Sequence, residues 1–258
     1  MQDTAAAPDT VEILNAQAPG TAVLLCDHAS NRVPADIADL GLPAGEMERH
    51  IAYDIGAAAV TREMSRLMQA PALLHGYSRL LLDPNRAPDD PTLIPVISDG
   101  TIVPGNRGID AGARAARLAR YHQPYHAAVS DLLVGRRARG QRTAIISMHS
   151  FTPWLRDNRK RPWEVGVLWG EDGRIAVPFM AALEAAGVMV GDNEPYSGRN
   201  SHGFTIEHHA MPAGLPHVLV ELRQDLIADT AGQLHWAGVL AKVLMPLLAD
   251  EAIWRSVG

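Results

Sequence analysis

Cysteine occurs once in the 258 residues, at Cys26, which excludes an intramolecular disulfide and leaves the fold to be held by its core. Lysine is nearly absent as well, with Lys160 and Lys242 its two occurrences, and the longest basic cluster is the short Arg156 to Arg161. With a net charge of −6, the chain lacks the clustered cations that phosphate backbones need, which excludes nucleic acid as an expected partner. Aromatic residues make up 5% of the chain against 47% hydrophobic residues overall, a balance that disfavours a β-sandwich or barrel and suits an α/β enzyme. No apolar run approaches the roughly 18 residues needed to span a bilayer. The first twenty residues also lack the basic start and apolar stretch of a secretory signal, so a cytoplasmic protein with no membrane partner is expected. Missing too are Gly-x-Ser-x-Gly, a Walker loop, Gly-x-Gly-x-x-Gly and His-Glu-x-x-His, which sets aside serine-hydrolase, nucleotide-binding and zincin readings.

What is present is a pair of short apolar runs, each ending in a histidine. Thr21 to Cys26 leads into Asp27-His28-Ala29-Ser30-Asn31, and Thr143 to Ser147 leads into Met148-His149-Ser150. If both runs are buried parallel strands, both imidazoles emerge at the carboxyl edge of one sheet, where open α/β folds place their ligands. Around them the pattern predicts a helix over 55–68, strands over 70–75 and 78–82, and an irregular stretch over 83–109 with five prolines. A long helix over 110–139, kinked at Pro124, is expected next, then a strand over 165–169, a helix over 175–186 closed by Gly187, and a strand over 188–190. A strand over 216–222 and a helix over 231–248 complete the pattern. One domain spanning 1–258 is expected, with 1–19 as a flexible N-terminal segment.

Neutral imidazole is the commonest metal ligand, and three protein ligands beside an open position describe catalytic zinc. His28 and His149 are the first candidates, although each alone also suits a hydrogen-bonded core histidine. Asp54, in Tyr53-Asp54-Ile55-Gly56 at a helix start, is the choice for the third ligand and would serve equally as an N-cap. Asn31, Asp27 or a histidine from 202–209 stay open in its place. Glu221 interrupts an apolar strand, so it must pair, for instance with Arg223 at the strand edge, or face a polar site, where it would act as general base. Cys26 backed by His28 is a weaker nucleophile reading, because a cysteine ending an apolar strand is ordinarily a small buried side chain. Arg79, Arg86, Arg107, Arg199 and Arg223 lie at strand ends or in Gly/Asn-rich loops and together suggest an anionic substrate. His122 and His126, one turn apart across Pro124, read as structural, as does one of His208 and His209, which point opposite ways if they lie on a strand.

Taken in order, several segments resemble those of the N-formylglutamate amidohydrolase family. They are Asp27 to Pro34, Tyr53 to Gly56, Ser78-Arg79 with Asp83-Pro84-Asn85-Arg86, Pro104 to Gly108, Tyr121 to His126, Ser147 to Phe151, Asn200 to Thr205 and Glu221 to Asp225. The resemblance implies a zinc-peptidase-like α/β fold of the phosphorylase/hydrolase type, with a mixed, mainly parallel sheet flanked by helices. It implies hydrolysis of the amide of a small anionic N-acyl amino acid, with N-formyl-L-glutamate giving formate and glutamate. By position it makes His28 and His149 ligands of one Zn²⁺, Asp54 the third, and Glu221 the general base. Arg79, Asn85, Arg86, Asn106, Arg107, Asn200 and Arg223, with Asn31 and His202 beside them, would then line the substrate pocket. Where the better-known enzymes carry a Pro-His-Ser-Gly-like sequence this chain has Asp27-His28-Ala29-Ser30-Asn31, a departure that bears on the exact substrate more than on the chemistry. Two alternatives stay open. One is an N-acyl amino-acid or short-peptide amidohydrolase of other acyl specificity; the other is a non-catalytic small-acid binding protein.

Overall fold

The structure is a computed structural model that describes residues 9–154, 159–199 and 203–255. In chain order these form β1 (Val11–Leu14), β2 (Ala22–Cys26), α1 (Ala57–Leu67), β3 (Ala72–His75), β4 (Ile97–Ser98), β5 (Thr101–Ile102), α2 (Ala111–Arg117) and α3 (Gln123–Ala138). There follow β6 (Ala144–Phe151), β7 (Val165–Leu168), α4 (Ala176–Ala185), β8 (Val190–Asp192), α5 (Phe204–His209), β9 (His217–Arg223) and α6 (Thr230–Ala249). Apart from the β4-β5 hairpin, the strands form one mixed seven-stranded sheet in the order β1-β3-β2-β6-β9-β7-β8. Its centre, β3-β2-β6-β9, is parallel, whereas β1 and β7 run antiparallel to β3 and β9.

The parallel centre accounts for the unbroken apolar runs, because a sheet covered on both faces has no wet side to call for alternation. Leu24, Cys26, Ile146, Met148, Val218 and Val220 share a core with residues of α1, α4 and α6. On the other face Val23, Leu25, Leu73 and Ile145 pack with Tyr125 and Val129 of α3 and Ile206 of α5. Each such aliphatic side chain stabilises by about 1.5–3 kcal/mol on burial. Farther along this second face β6 carries Ser147 and His149, and its neighbour β9 carries Leu219 and Glu221 in register with them. There the apolar packing gives way to a cavity at the carboxyl edge of the parallel strands.

Four expectations are corrected. Residues 78–82 form a turn, because the Ser78 hydroxyl donates to the Ala52 carbonyl and accepts from the Leu80 N–H, a local pairing that competes with a strand ladder. The long helix divides into α2, a π-helical turn over Leu118–His122, and α3; Pro124 sits in the first turn of α3, where a missing donor costs nothing. Within 1–19, expected to be flexible, Val11–Leu14 instead closes one edge of the sheet against β3. Finally, His208 and His209 belong to a helix. Among the described residues no helix is long and apolar enough to cross a membrane.

Candidate active site

Two strand ends and a helix start converge on one point. His28 follows β2, His149 lies in β6, and Asp54 enters the segment leading to α1, its N–H donating to the His28 carbonyl at 2.9 Å. Gly56, with φ of +80°, admits this entry: a Cβ there would lie 2.4 Å from the Ile227 carbonyl oxygen. The Asp54 Oδ2 atom is 3.4 Å from His28 Nδ1 and 2.9 Å from His149 Nδ1, and it accepts from the Ser150 N–H at 3.3 Å. The two rings meet edge to face, with centroids 5.0 Å apart. One donor atom each from His28, Asp54 and His149 falls within a 4.8 Å group, and all three residues are buried.

The surroundings are acidic. His28 Nε2 lies 2.7 Å from Asp83 Oδ1, and His149 Nε2 lies 3.4 Å from Asp27 Oδ2. Glu221, opposite His149 in the ladder, lines the same cavity, and its Oε2 is buried without a hydrogen-bond partner among the described residues. Burial pushes Glu221 up to about 7 against the pull of His149, and the Asp54 charge adds to the rise. For Asp54 burial works the same way, yet the two imidazoles outweigh it and hold the carboxyl far below the usual carboxylate range. Burial and the Arg79 guanidinium oppose a proton on His28, but Asp83 and Asp54 prevail and raise it. His149 is held well above its ordinary value despite burial, by hydrogen bonding to Asp27 and Asp54. Four carboxylates thus face two imidazoles and the guanidiniums of Arg79 and Arg86. The protons on the imidazoles balance the carboxylates, and a divalent cation taking the two Nδ1 donors and Asp54 would supply the same charge, so the donor set fits such an ion.

The cavity encloses about 310 Å³. Of the residues expected in the pocket, Arg79, Asn85 and Arg86 line it. Arg79 is engaged, its Nη2 donating to Asp83 Oδ2 at 2.7 Å, whereas the Arg86 guanidinium has no ion pair or hydrogen bond to any described residue. Asn85 Oδ1 accepts from the Thr205 N–H at 3.0 Å, and Gly203 is required against it, since a Cβ there would meet the Asn85 amide at 2.4 Å. Asn31, Asn106, Arg107 and Arg223 lie outside the cavity lining. Asn31 donates to the Met47 carbonyl; Asn106 is buried, donates to the Leu80 and Pro95 carbonyls and accepts from Arg117. Arg223 donates to the carbonyls of Arg161, Pro162 and Trp163 and to Asp225, so it does not pair with Glu221. Arg107 is exposed. Asn200 and His202 lie outside the described residues. Cys26 is fully buried, and burial, with the charges of Asp54 and Asp27, pushes its thiol up and away from the nucleophilic form.

Sequence reasoning passed over Asp83, His50, Tyr196 and Gln224, all of which line the cavity. Asp83 carried a signal, an acid beside the Asn85-Arg86 pair; His50 and Tyr196 sit in a turn and a bend without periodicity, and Gln224 opens a short 3-10 helix directly after β9. His122 Nε2 donates to the Arg86 carbonyl and His126 Nε2 to the Pro84 carbonyl, each at about 3 Å, and so these two histidines fasten the 83–86 segment from behind.

The sequence matches the family described as N-formylglutamate amidohydrolase over residues 20–228. Among solved structures, the chain resembles a gene product of Agrobacterium tumefaciens with 37% identity and a TM-score of 0.89, covering 93% of this chain and 95% of that one. It also resembles the N-formylglutamate amidohydrolase of Ralstonia eutropha, with 19% identity and a TM-score of 0.72 over 93% and 97% of the two chains, a likeness of fold. No curated protein matches the sequence.

Proposed function

This chain belongs to the N-formylglutamate amidohydrolase family, and from that premise we propose that it hydrolyses the amide of a small N-acyl amino acid, N-formyl-L-glutamate foremost, with a divalent cation such as Zn²⁺ held by His28, Asp54 and His149. The observation that carries this reading is the buried Glu221 oxygen, without a hydrogen-bond partner among the described residues, facing the same cavity as three converging metal donors. The bound cation supplies Lewis acidity toward water and the acyl oxygen. Glu221, a buried carboxylate facing the same cavity, takes the proton of the attacking water and returns it to the departing amine. Arg86, whose guanidinium has no ion pair or hydrogen bond among the described residues, receives the substrate carboxylate, while Arg79 stays bound to Asp83. Leu168 and Leu219, also in the lining, favour a second reading in which a larger acyl group is accepted.

Formate release from N-formyl-L-glutamate by zinc-loaded protein tests the proposal, with N-acetyl and N-succinyl amino acids run beside it. Glu221→Gln is expected to lower kcat by roughly 10²–10⁴-fold while zinc content is kept. Undiminished turnover in that variant removes Glu221 from the reaction, and stoichiometric binding without turnover in the parent protein favours a binding protein instead.

A further inference from the structure

Each imidazole of the candidate centre turns one nitrogen toward Asp54 and the other toward a different carboxylate. Both Nδ1 atoms face Asp54 Oδ2, that of His28 also accepting from Arg79 Nη1 at 3.2 Å, while Nε2 of His28 meets Asp83 and Nε2 of His149 meets Asp27. We propose that Asp83 and Asp27 are the positioning carboxylates of a metal centre in which His28 and His149 both ligate through Nδ1, each with its Nε2–H committed to its own aspartate. The inference rests on the metal-dependent reading above and adds two residues to it.

Both aspartates are built for this. Asp83 is 4% exposed and divides its oxygens: Oδ2 accepts from Arg79 Nε and Nη2 at 3.1 and 2.7 Å, and Oδ1 accepts from the Asn85 N–H at 2.9 Å and faces His28 at 2.7 Å. Asp27 is fully buried; its Oδ1 accepts from the Tyr125 hydroxyl at 2.8 Å and from the Thr205 hydroxyl at 2.9 Å. Among the described residues its Oδ2 has no hydrogen-bond partner, and it lies 3.4 Å from His149 Nε2, which is also 3.1 Å from the Ser147 hydroxyl. A buried carboxylate oxygen without another partner has only the imidazole N–H to satisfy it. Such a bond fixes the tautomer and the ring plane and raises the basicity of the ligating nitrogen; its loss typically weakens metal binding 10- to 100-fold. The arrangement is crossed: Asp27 adjoins His28 in sequence yet serves His149, so the end of β2 braces the ligand on β6. It also assigns Asp27 a place outside the donor group, which among the described residues comprises His28, Asp54 and His149.

The test measures zinc affinity of the full chain by competition with a chromophoric chelator, together with long-range ¹H–¹⁵N spectra of the histidine rings in the zinc-loaded parent. Asp83→Asn and Asp27→Asn are each expected to raise the zinc Kd roughly 10- to 100-fold. Asn106→Ala, which removes a buried structural amide, is expected to lower the melting temperature and leave the zinc Kd unchanged. The spectra are expected to show both rings protonated at Nε2. Aspartate variants with parental zinc affinity, or rings protonated at Nδ1 in the loaded protein, overturn the inference while leaving metal dependence standing. The spectra need no variant, so a misfolded substitution does not spoil the test. A parent protein that takes up no zinc overturns the metal-dependent reading itself, and this inference with it.

Discussion

Glu221 works against the fold. Its carboxyl titrates near 7 in the folded protein, against an ordinary value of 4.5 that an unfolded chain would show. Between those values the folded state holds a proton that the unfolded state has released, so stability falls as pH rises through the window and stays low above it. Glu221→Gln removes the ionisable group, and the chelator-treated variant is expected to be more stable than its parent at pH 8 by roughly 1–3 kcal/mol. The advantage should vanish below about pH 4, where both states carry the proton. Urea melts at the two pH values check this, and equal midpoints at pH 8 would count against the burial argument. Arg86 is the opposite kind of residue, a guanidinium in the cavity lining with no ion pair or hydrogen bond among the described residues. Arg86→Met is expected to raise KM roughly ten- to a hundred-fold with kcat little changed, as the loss of a charge-assisted grip on a substrate carboxylate requires. A fall in kcat at constant KM would place Arg86 at the reacting atoms instead.

At the scale of elements, the strand-to-helix joint before α1 is where sequence and site meet most tightly. Gly56→Ala forces a side chain into a left-handed backbone position and against the Ile227 carbonyl. A cost of about 1–3 kcal/mol in stability is expected, with weaker zinc binding because Asp54 lies two residues upstream. Thermal melts and chelator competition measure the two effects, and loss of stability without change in zinc affinity would uncouple the joint from the donors. The main strands and helices were legible because β2, β6 and β9 are uninterrupted apolar runs bounded by polar turns, and the polar residues that break them, His149 and Glu221, announce themselves there. The 78–82 segment misled because its apolar leucines resemble a strand, while the Ser78 side chain, read only as part of a motif, organises a turn. For the same reason Asn106 and Arg223 were legible as polar residues in loops or at strand ends but not as structural ones. Their partners are backbone carbonyls, which leave no trace in a sequence.

Across the whole molecule, the four groups that define the centre come from residues 28, 54, 149 and 221, and they share one face only because β6 is wedged between β2 and β9. Local segments cannot assemble this grouping; it requires pairings between strands far apart along the chain, which form late and slowly. If the proposed centre binds its metal, that metal should act as a latch closed after the event and not as a template for it. In mixing experiments that follow tryptophan emission, zinc is expected to slow unfolding in step with its concentration above Kd while leaving the refolding rate where it was. Faster refolding with zinc would mean that the donors gather in the nascent nucleus. If the latch picture holds, a newly made chain meets its ion only after the central strands have closed, and the time spent waiting for metal is time spent already folded.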